Sequence, residues 1–182
     1  LIVDQTSGQL QNTLQITEFG TNTHTARDLG ILTPENGALG NLVIGEELSP
    51  VLTRDTAVSL LKRGQGINMA NIYVENGPRK GEIDLSQAAT VGEIIDTINS
   101  SGFDLRADIN DLGTGISVTS TVGGRTLKIA DGTGGFTATA LDITGTRNVL
   151  VDPVDPIGQD SDLIPAVDGE TRLSDINGGE GV

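Results

Sequence analysis

Residues 90–111 read TVGEIIDTINSSGFDLRADIND, and two periodicities meet inside them. Val91, Ile94, Ile95 and Ile98 fall at i, i+3, i+4 and i+7, which is one apolar face of an α-helix. Thr90 stands just before that face and Glu93 three residues further on. This is the capping-box spacing, in which each side chain satisfies an orphan amide at the start of the helix. Gly102 is placed to close the helix as a C-cap. So short a helix, rich in β-branched residues, is marginal alone in water and has to pack on a partner. The next residues supply one. Phe103, Leu105, Ala107 and Ile109 alternate with Asp104, Arg106, Asp108 and Asn110, the pattern of a half-buried strand.

The alternation continues outward. GISVTS carries it through Ile116 and Val118, and TLKIAD through Leu127 and Ile129. NIYVENGPRKGEIDLS reads as two strands around a Gly-Pro turn. Shorter helical turns are expected at 56–62 and 137–142. With turns at NDLGTG and TVGG, the glycines of GGRTLKIADGTGGF are expected to serve hairpins. The expected fold is α+β: mainly an antiparallel β-meander with one helix of two to three turns packed on the sheet.

The sequence also repeats. Thr56, Ser59, Gly64 and Gly66 of TAVSLLKRGQGI return as Thr171, Ser174, Gly179 and Gly181, a shift of 115 residues (171 − 56). NTLQITEFGTNTHTARDLGI at 12–31 matches GRTLKIADGTGGFTATALDI at 124–143. Leu14 and Ile16 fall on Leu127 and Ile129, and Asp28 is aligned with Asp142. Val3, Thr6 and Gly8 lie over Val118, Thr121 and Gly123, and Pro50 over Pro165. A period this long suits tandem domains rather than a solenoid.

Five of the six prolines (Pro34, Pro50, Pro153, Pro156, Pro165) fall within 33–55 or 146–168, beside clustered acids. Proline fixes φ and removes a donor, so these stretches are expected to be extended connectors. Each holds apolar residues enough for one edge strand (Leu42–Ile44 and Val149–Val151). The expected organisation is the C-terminal part of a preceding repeat at 1–32, a connector at 33–53 and a complete unit at 54–145. An acidic connector at 146–168 and the start of a further repeat at 169–182 follow. The chain opens LIVDQTSGQL, without Met, and is expected to be a window cut from a longer array. The apolar strand face of 1–32 then needs a cover from the neighbouring unit, from 171–182 or from a second chain; the neighbouring unit is expected, with 171–182 next.

Composition narrows the function. A net charge of −14, from 25 acidic and 11 basic residues, repels phosphate backbones and anionic lipid, so neither nucleic acid nor membrane is expected as a partner. No apolar run approaches the roughly 18 residues that cross a bilayer. There is no Cys and no Trp, and the aromatics are Phe19, Phe103, Phe136 and Tyr73, so the core must be aliphatic.

Chemistry finds little to work with, and no enzyme is expected. His24, the sole histidine, lies in the polar turn GTNTHTARD, where a solvated side chain is the expectation. No G-x-S-x-G elbow accompanies it. Glycoside hydrolysis would need aromatics to stack sugars, and phosphate-cradling glycine motifs are absent. No cofactor is expected. Asp108 and Asp111 flank Asn110, and Asp152, Asp155, Asp160 and Asp162 crowd the second connector. The last four are weak candidates for calcium, which favours oxygen-rich loops, although the EF-hand order is missing. Asp and Asn in turns more commonly bind their own backbone, and that is the role expected here.

The run IDLS, TVGEIIDTIN, ADIND and GISVTSTVGG resembles the flagellin hook IN motif, named for an Ile-Asn pair that here is Ile98-Asn99. The resemblance covers roughly 80–145, and extends to 12–31 and 171–182 through the repeat. The motif occurs in bacterial flagellar hook-associated proteins of the filament-cap and hook–filament junction types, and in some flagellins. The resemblance implies a motif core of Ile94, Ile95, Ile98 and Asn99 and a structural, extracellular role in motility. The chain would be an outward-facing domain of a secreted flagellar assembly, meeting other axial subunits through parts of the parent chain outside this segment. No long heptad helices are present, and the sequence does not separate the cap type from the junction type. The other reading consistent with acidic repeats and proline connectors is a module of a large secreted bacterial adhesin or surface stalk, stiffened by calcium.

Overall fold

The structure is a computed structural model and describes residues 2–3, 14–20, 24–33, 42–43, 50–148, 156–169 and 171–176. In chain order its elements are β1 (Ile2–Val3), α1 (Thr25–Asp28), β2 (Leu42–Val43), α2 (Leu61–Gly64), β3 (Asn71–Asn76) and β4 (Arg79–Asp84). These are followed by α3 (Val91–Ser100), β5 (Leu105–Ile109), β6 (Ile116–Ser120), β7 (Thr126–Asp131), α4 (Thr137–Ala140) and β8 (Gly145–Asn148). Short 3₁₀ turns stand at Val58–Leu60 and Leu173–Asp175. The fold is mixed α/β, with antiparallel sheets and a few short helices. Two compact units divide the chain: Pro50–Glu170, and Leu1–Ser49 together with Thr171–Val182.

In the larger unit the helix forms where the sequence predicts it. Thr90 Oγ1 accepts the Glu93 amide at 3.2 Å, and Glu93 Oε2 accepts the Ala89 amide at 2.6 Å, one residue before the N-cap. Gly102 follows the helix with φ of 77°, a left-handed conformation that costs glycine nothing. Val91, Ile94, Ile95 and Ile98 are fully buried, and the helix packs on β5 and β4. Each such side chain contributes about 1.5–3 kcal/mol by leaving water, which is what holds a helix of ten residues together.

The strands also form, but their order is not that of a meander. The main sheet runs β4-β3-β7-β8, and β5 and β6 make a separate two-stranded sheet. β3 and β4 are the expected hairpin, with Gly77 at φ 60° in the first corner position of a two-residue turn. The chain then leaves the sheet through α3 and the β5–β6 hairpin and returns as β7 on the other side of β3. Burial explains the detour: α3 and the inward faces of β5 and β6 join Ile72, Val74, Leu127 and Ile129 in one aliphatic core. The glycines of 123–135 accordingly serve changes of direction rather than hairpins. Gly123 and Gly124 lead from one sheet to the other, and Gly132, Gly134 and Gly135 lead from β7 into α4.

The stretch expected as the second connector departs most from its proline-and-acid reading. β8 occupies 145–148, and Ile157, which bridges Val118, is buried together with Leu163. Lys62 and Arg63 donate backbone amides to Leu163 O and Ile164 O at 2.6 and 2.7 Å. Residues 156–166 are therefore built into the unit, and its bounds are wider than 54–145. Two apolar side chains in the core outweigh the extended bias of the prolines. α2 is a left-handed turn, with Lys62 and Arg63 at φ 53° and 59°.

In the smaller unit β1 pairs antiparallel with β2, so an edge strand does form within 33–53. The pairing of Val3 with Leu42 stands 115 residues before the bridge of Val118 with Ile157 (118 − 3). Leu14–Phe19 forms neither helix nor assigned strand, but Ile16 and Thr33 exchange hydrogen bonds. Leu14 and Ile16 are half-buried, less covered than expected from Leu127 and Ile129. Residues 171–182 belong to this unit, so the stub, second among the expected covers, shares a compact body with 1–49.

Candidate functional site

The motif residues converge where α3 meets β5. Ile94 and Ile98 are 0% exposed and Ile95 1%, all in the core. Asn99, one position round the helix from that face, does something the apolar pattern does not announce. Its Oδ1 accepts the Ala107 amide at 2.6 Å, and its Nδ2 donates to Ala107 O at 3.1 Å. A side-chain amide carries one acceptor and donors in the same plane, as a peptide does, so Asn99 pairs with β5 as a neighbouring strand residue would. The Ile-Asn pair thus couples helix to hairpin, Ile98 through packing and Asn99 through the backbone.

Around the helix's far end the polar groups gather on Asp104, itself left-handed at φ 56°. Asp104 Oδ2 receives Arg125 Nη1 at 2.7 Å and Arg79 Nε at 3.1 Å. Arg79 also donates to Gly102 O. Asn76 Nδ2 donates to Phe103 O and Asp104 O at 2.9 and 3.2 Å, whereas its Oδ1 is buried without a hydrogen-bond partner. This cluster locks the turn that follows the helix. By contrast, the Arg54–Asp96 pair on the exposed side, at 2.7 Å, contributes about 0–1 kcal/mol.

A second polar hub fastens 156–166. Asn110 Oδ1 accepts the amides of Thr114 and Gly115 at 3.0 and 3.1 Å, and its Nδ2 donates to Ser161 O at 2.9 Å. Ser161 Oγ donates to Leu141 O at 2.9 Å. Here turn chemistry is what Asn110 performs, with a long-range partner added. Gly115 lies so close to Ser161 that a Cβ would overlap it.

Two of the calcium candidates, Asp160 and Asp162, lie among the described residues. Asp160 and Asp162 are exposed, and Asp162 Oδ1 accepts its own loop's Ile164 amide at 3.1 Å. Asp152 and Asp155 lie outside the described residues. Among the described residues no group of three or more His, Asp or Glu side chains is placed to hold a metal ion. His24 is exposed at the start of α1, without a side-chain cap bond. Glu82, on the sheet surface, accepts Asn71 Nδ2 at 2.8 Å and the Thr133 amide and hydroxyl at 3.0 and 2.8 Å. Those hydrogen bonds, Asn71's foremost, hold its carboxyl below the ordinary 4.5. Among the described residues no helix is long and apolar enough to cross a membrane.

Sequence reading singles out Asn99 by motif and passes over Asn76, Asp104 and Ser161. Asn76 carries a signal, because it shares the inward parity of Ile72 and Val74 in β3. Asp104 and Ser161 carry none that is local. No family model, curated protein or solved structure matches this chain.

Proposed function

We propose that the chain is a structural repeat module, built to hold shape and spacing rather than to turn over a substrate. More particularly, we read it as an outward-facing segment of a bacterial flagellar hook-associated or flagellin-like protein, in tandem repeats of about 115 residues. The observation that carries this reading is the Ile98-Asn99 coupling. The pair that names the motif is also the pair that joins helix to strand, through a buried side chain and two backbone hydrogen bonds. The aliphatic core of the larger unit is consistent with a role in architecture.

Local geometry supports the repeat. The 3₁₀ turns at 58–60 and 173–175 are spaced by 115 residues (173 − 58) and enter from matching extended residues, Ala57 and Arg172. Segments 25–31 and 137–143 share the same turn hydrogen bonds, from Leu29, Gly30 and Ile31 in one and Leu141, Asp142 and Ile143 in the other. This pairs Gly30 with Asp142, both left-handed at φ 63° and 56°, whereas the sequence alignment pairs Asp28 with Asp142. Immunogold electron microscopy of source cells, with antibody raised against the 182-residue chain, tests the assignment. Label along the filament or at its junction with the hook is expected. Label on the cell envelope would move the assignment to the surface-stalk reading.

A further inference from the structure

Residues 156–166 cross the larger unit in two halves whose backbones are held differently. In 156–161 the fastenings are relaxed. Ile157 and Val118 exchange amide–carbonyl bonds at 2.9 and 2.8 Å. Asn110 Nδ2 and Thr114 Oγ1 donate to Ser161 O at 2.9 and 2.8 Å. Within this half the one left-handed residue is Gly158, at φ 84°, where glycine loses nothing.

The half at 162–166 lies against 60–63, and strain stands on both sides of the contact. Lys62 and Arg63 donate their amides to Leu163 O and Ile164 O, and Ala166 donates to Leu60 O at 2.7 Å. In making these bonds Lys62 and Arg63 stand at φ 53° and 59°, and Ile164 at φ 36°. Left-handed backbone is disfavoured for any residue with a Cβ and is an outlier for a β-branched one. Ile164 also precedes Pro165, whose ring pushes the residue before it toward extended backbone. Strain of this kind persists only where its surroundings enforce it, and it gathers at segments that switch. Here the enforcement is Leu163, whose side chain is fully buried and whose amide donates to Thr114 O at 2.8 Å.

Position gives the strain a use. The larger unit spans Pro50–Glu170, and the smaller resumes at Thr171. The chain enters past Leu52, whose amide donates to Gly113 O at 2.7 Å. It leaves past Leu163, which is held by the very next carbonyl of the same turn. A pull along the exit meets Ala166 and Ile164 before it meets Ile157.

We infer that 162–166 is a strained strap that opens on its own, ahead of 156–161 and the core, and so lengthens the chain leading out of the unit. Opening gives up the four main-chain bonds of Lys62, Arg63, Leu163 and Ala166 and the burial of one leucine. It also lets Lys62, Arg63 and Ile164 return to ordinary backbone, which offsets much of that loss. Five released residues span up to about 17 Å when extended. In a module that holds spacing this is a reserve of length, a role that rests on the structural reading above; the opening itself does not.

Native-state amide hydrogen exchange on the full 182-residue chain tests the strap. The amides of Lys62, Arg63, Leu163 and Ala166 are expected to share one protection level, about a hundredfold or more below Ile157 and Val118 and nearly independent of denaturant, as a local opening is. Arg63→Asn places a residue that tolerates left-handed backbone at an exposed position, so no burial is lost. It should raise the strap's shared protection about tenfold and leave Ile157 and Val118 unchanged. Arg63→Ala removes the same charge without easing the backbone and should change nothing. Strap amides as protected as Ile157 and Val118, four unrelated protection levels, or equal protection in the two Arg63 variants would each overturn the inference. These outcomes are independent of the label positions that test the functional assignment, so the two fail separately.

Discussion

Segments 25–31 and 137–143 make the same turn, yet Leu141 and Ile143 are fully buried where Leu29 and Ile31 are half-exposed. The turn needs only its own residues: short-range amide bonds and one left-handed position. Burial needs β3, which comes from far along the chain in the larger unit. Local geometry and burial are therefore separable here.

The largest expected effects probe that separation. Leu141→Ala should cost about 2–4 kcal/mol, as should Ile98→Ala, the range for emptying a buried aliphatic site. Leu29→Ala should cost roughly 1 kcal/mol or less, because its side chain is already partly in water. Chemical denaturation of each variant measures this, and equal losses would erase the contrast between the units.

Next comes the clamp, which the smaller unit has no described counterpart to offer. Asn99→Ala should cost about 1–3 kcal/mol, since the Ala107 amide and carbonyl each lose a partner. Asn99→Asp, which keeps the acceptor and loses the donor, should fall between. A wild-type denaturation midpoint in Asn99→Ala would sink the coupling role. Thr90→Ala should cost about 1 kcal/mol through the lost cap.

The smallest effects are electrostatic. The Glu82 carboxyl titrates below its ordinary value when folded, so its contribution is present above pH 4.5 and fades as pH falls through the folded value. Glu82→Gln should flatten the acid limb of the stability profile, and an unchanged limb would show that the Asn71 and Thr133 contacts carry no weight. Calcium should raise the melting temperature without a saturable shift. A saturable shift abolished by Asp155→Asn and Asp160→Asn would favour the stalk reading.

Much of this was legible in the residues. Period and caps locate α3 to within a residue, and alternation locates β3 through β7. Sheet order was not legible, because the pairing of Val74 with Ile129 leaves no mark in either strand alone. Residues 156–166 misled for a different reason. Ile157 stands alone and Leu163 beside Ile164 in an acidic, proline-bearing stretch, and only their distant partners turn Ile157 and Leu163 into core. The candidate site divides the same way: the Ile face shows in the sequence, whereas the reach of Asn99 to Ala107 depends on how α3 crosses β5.

That reach has a consequence for solubility. Among the described residues β5 pairs with β6 alone, which leaves its other side an edge with backbone groups able to recruit a foreign strand. Asn99 occupies both hydrogen-bonding groups of Ala107, the middle residue of that edge, at the cost of one side chain. Without it, Ala107 would offer a free rung of ladder to any passing chain. Concentrated Asn99→Ala protein should then sediment as larger species than wild type under conditions where both remain folded, with a rise in β-sheet signal between molecules.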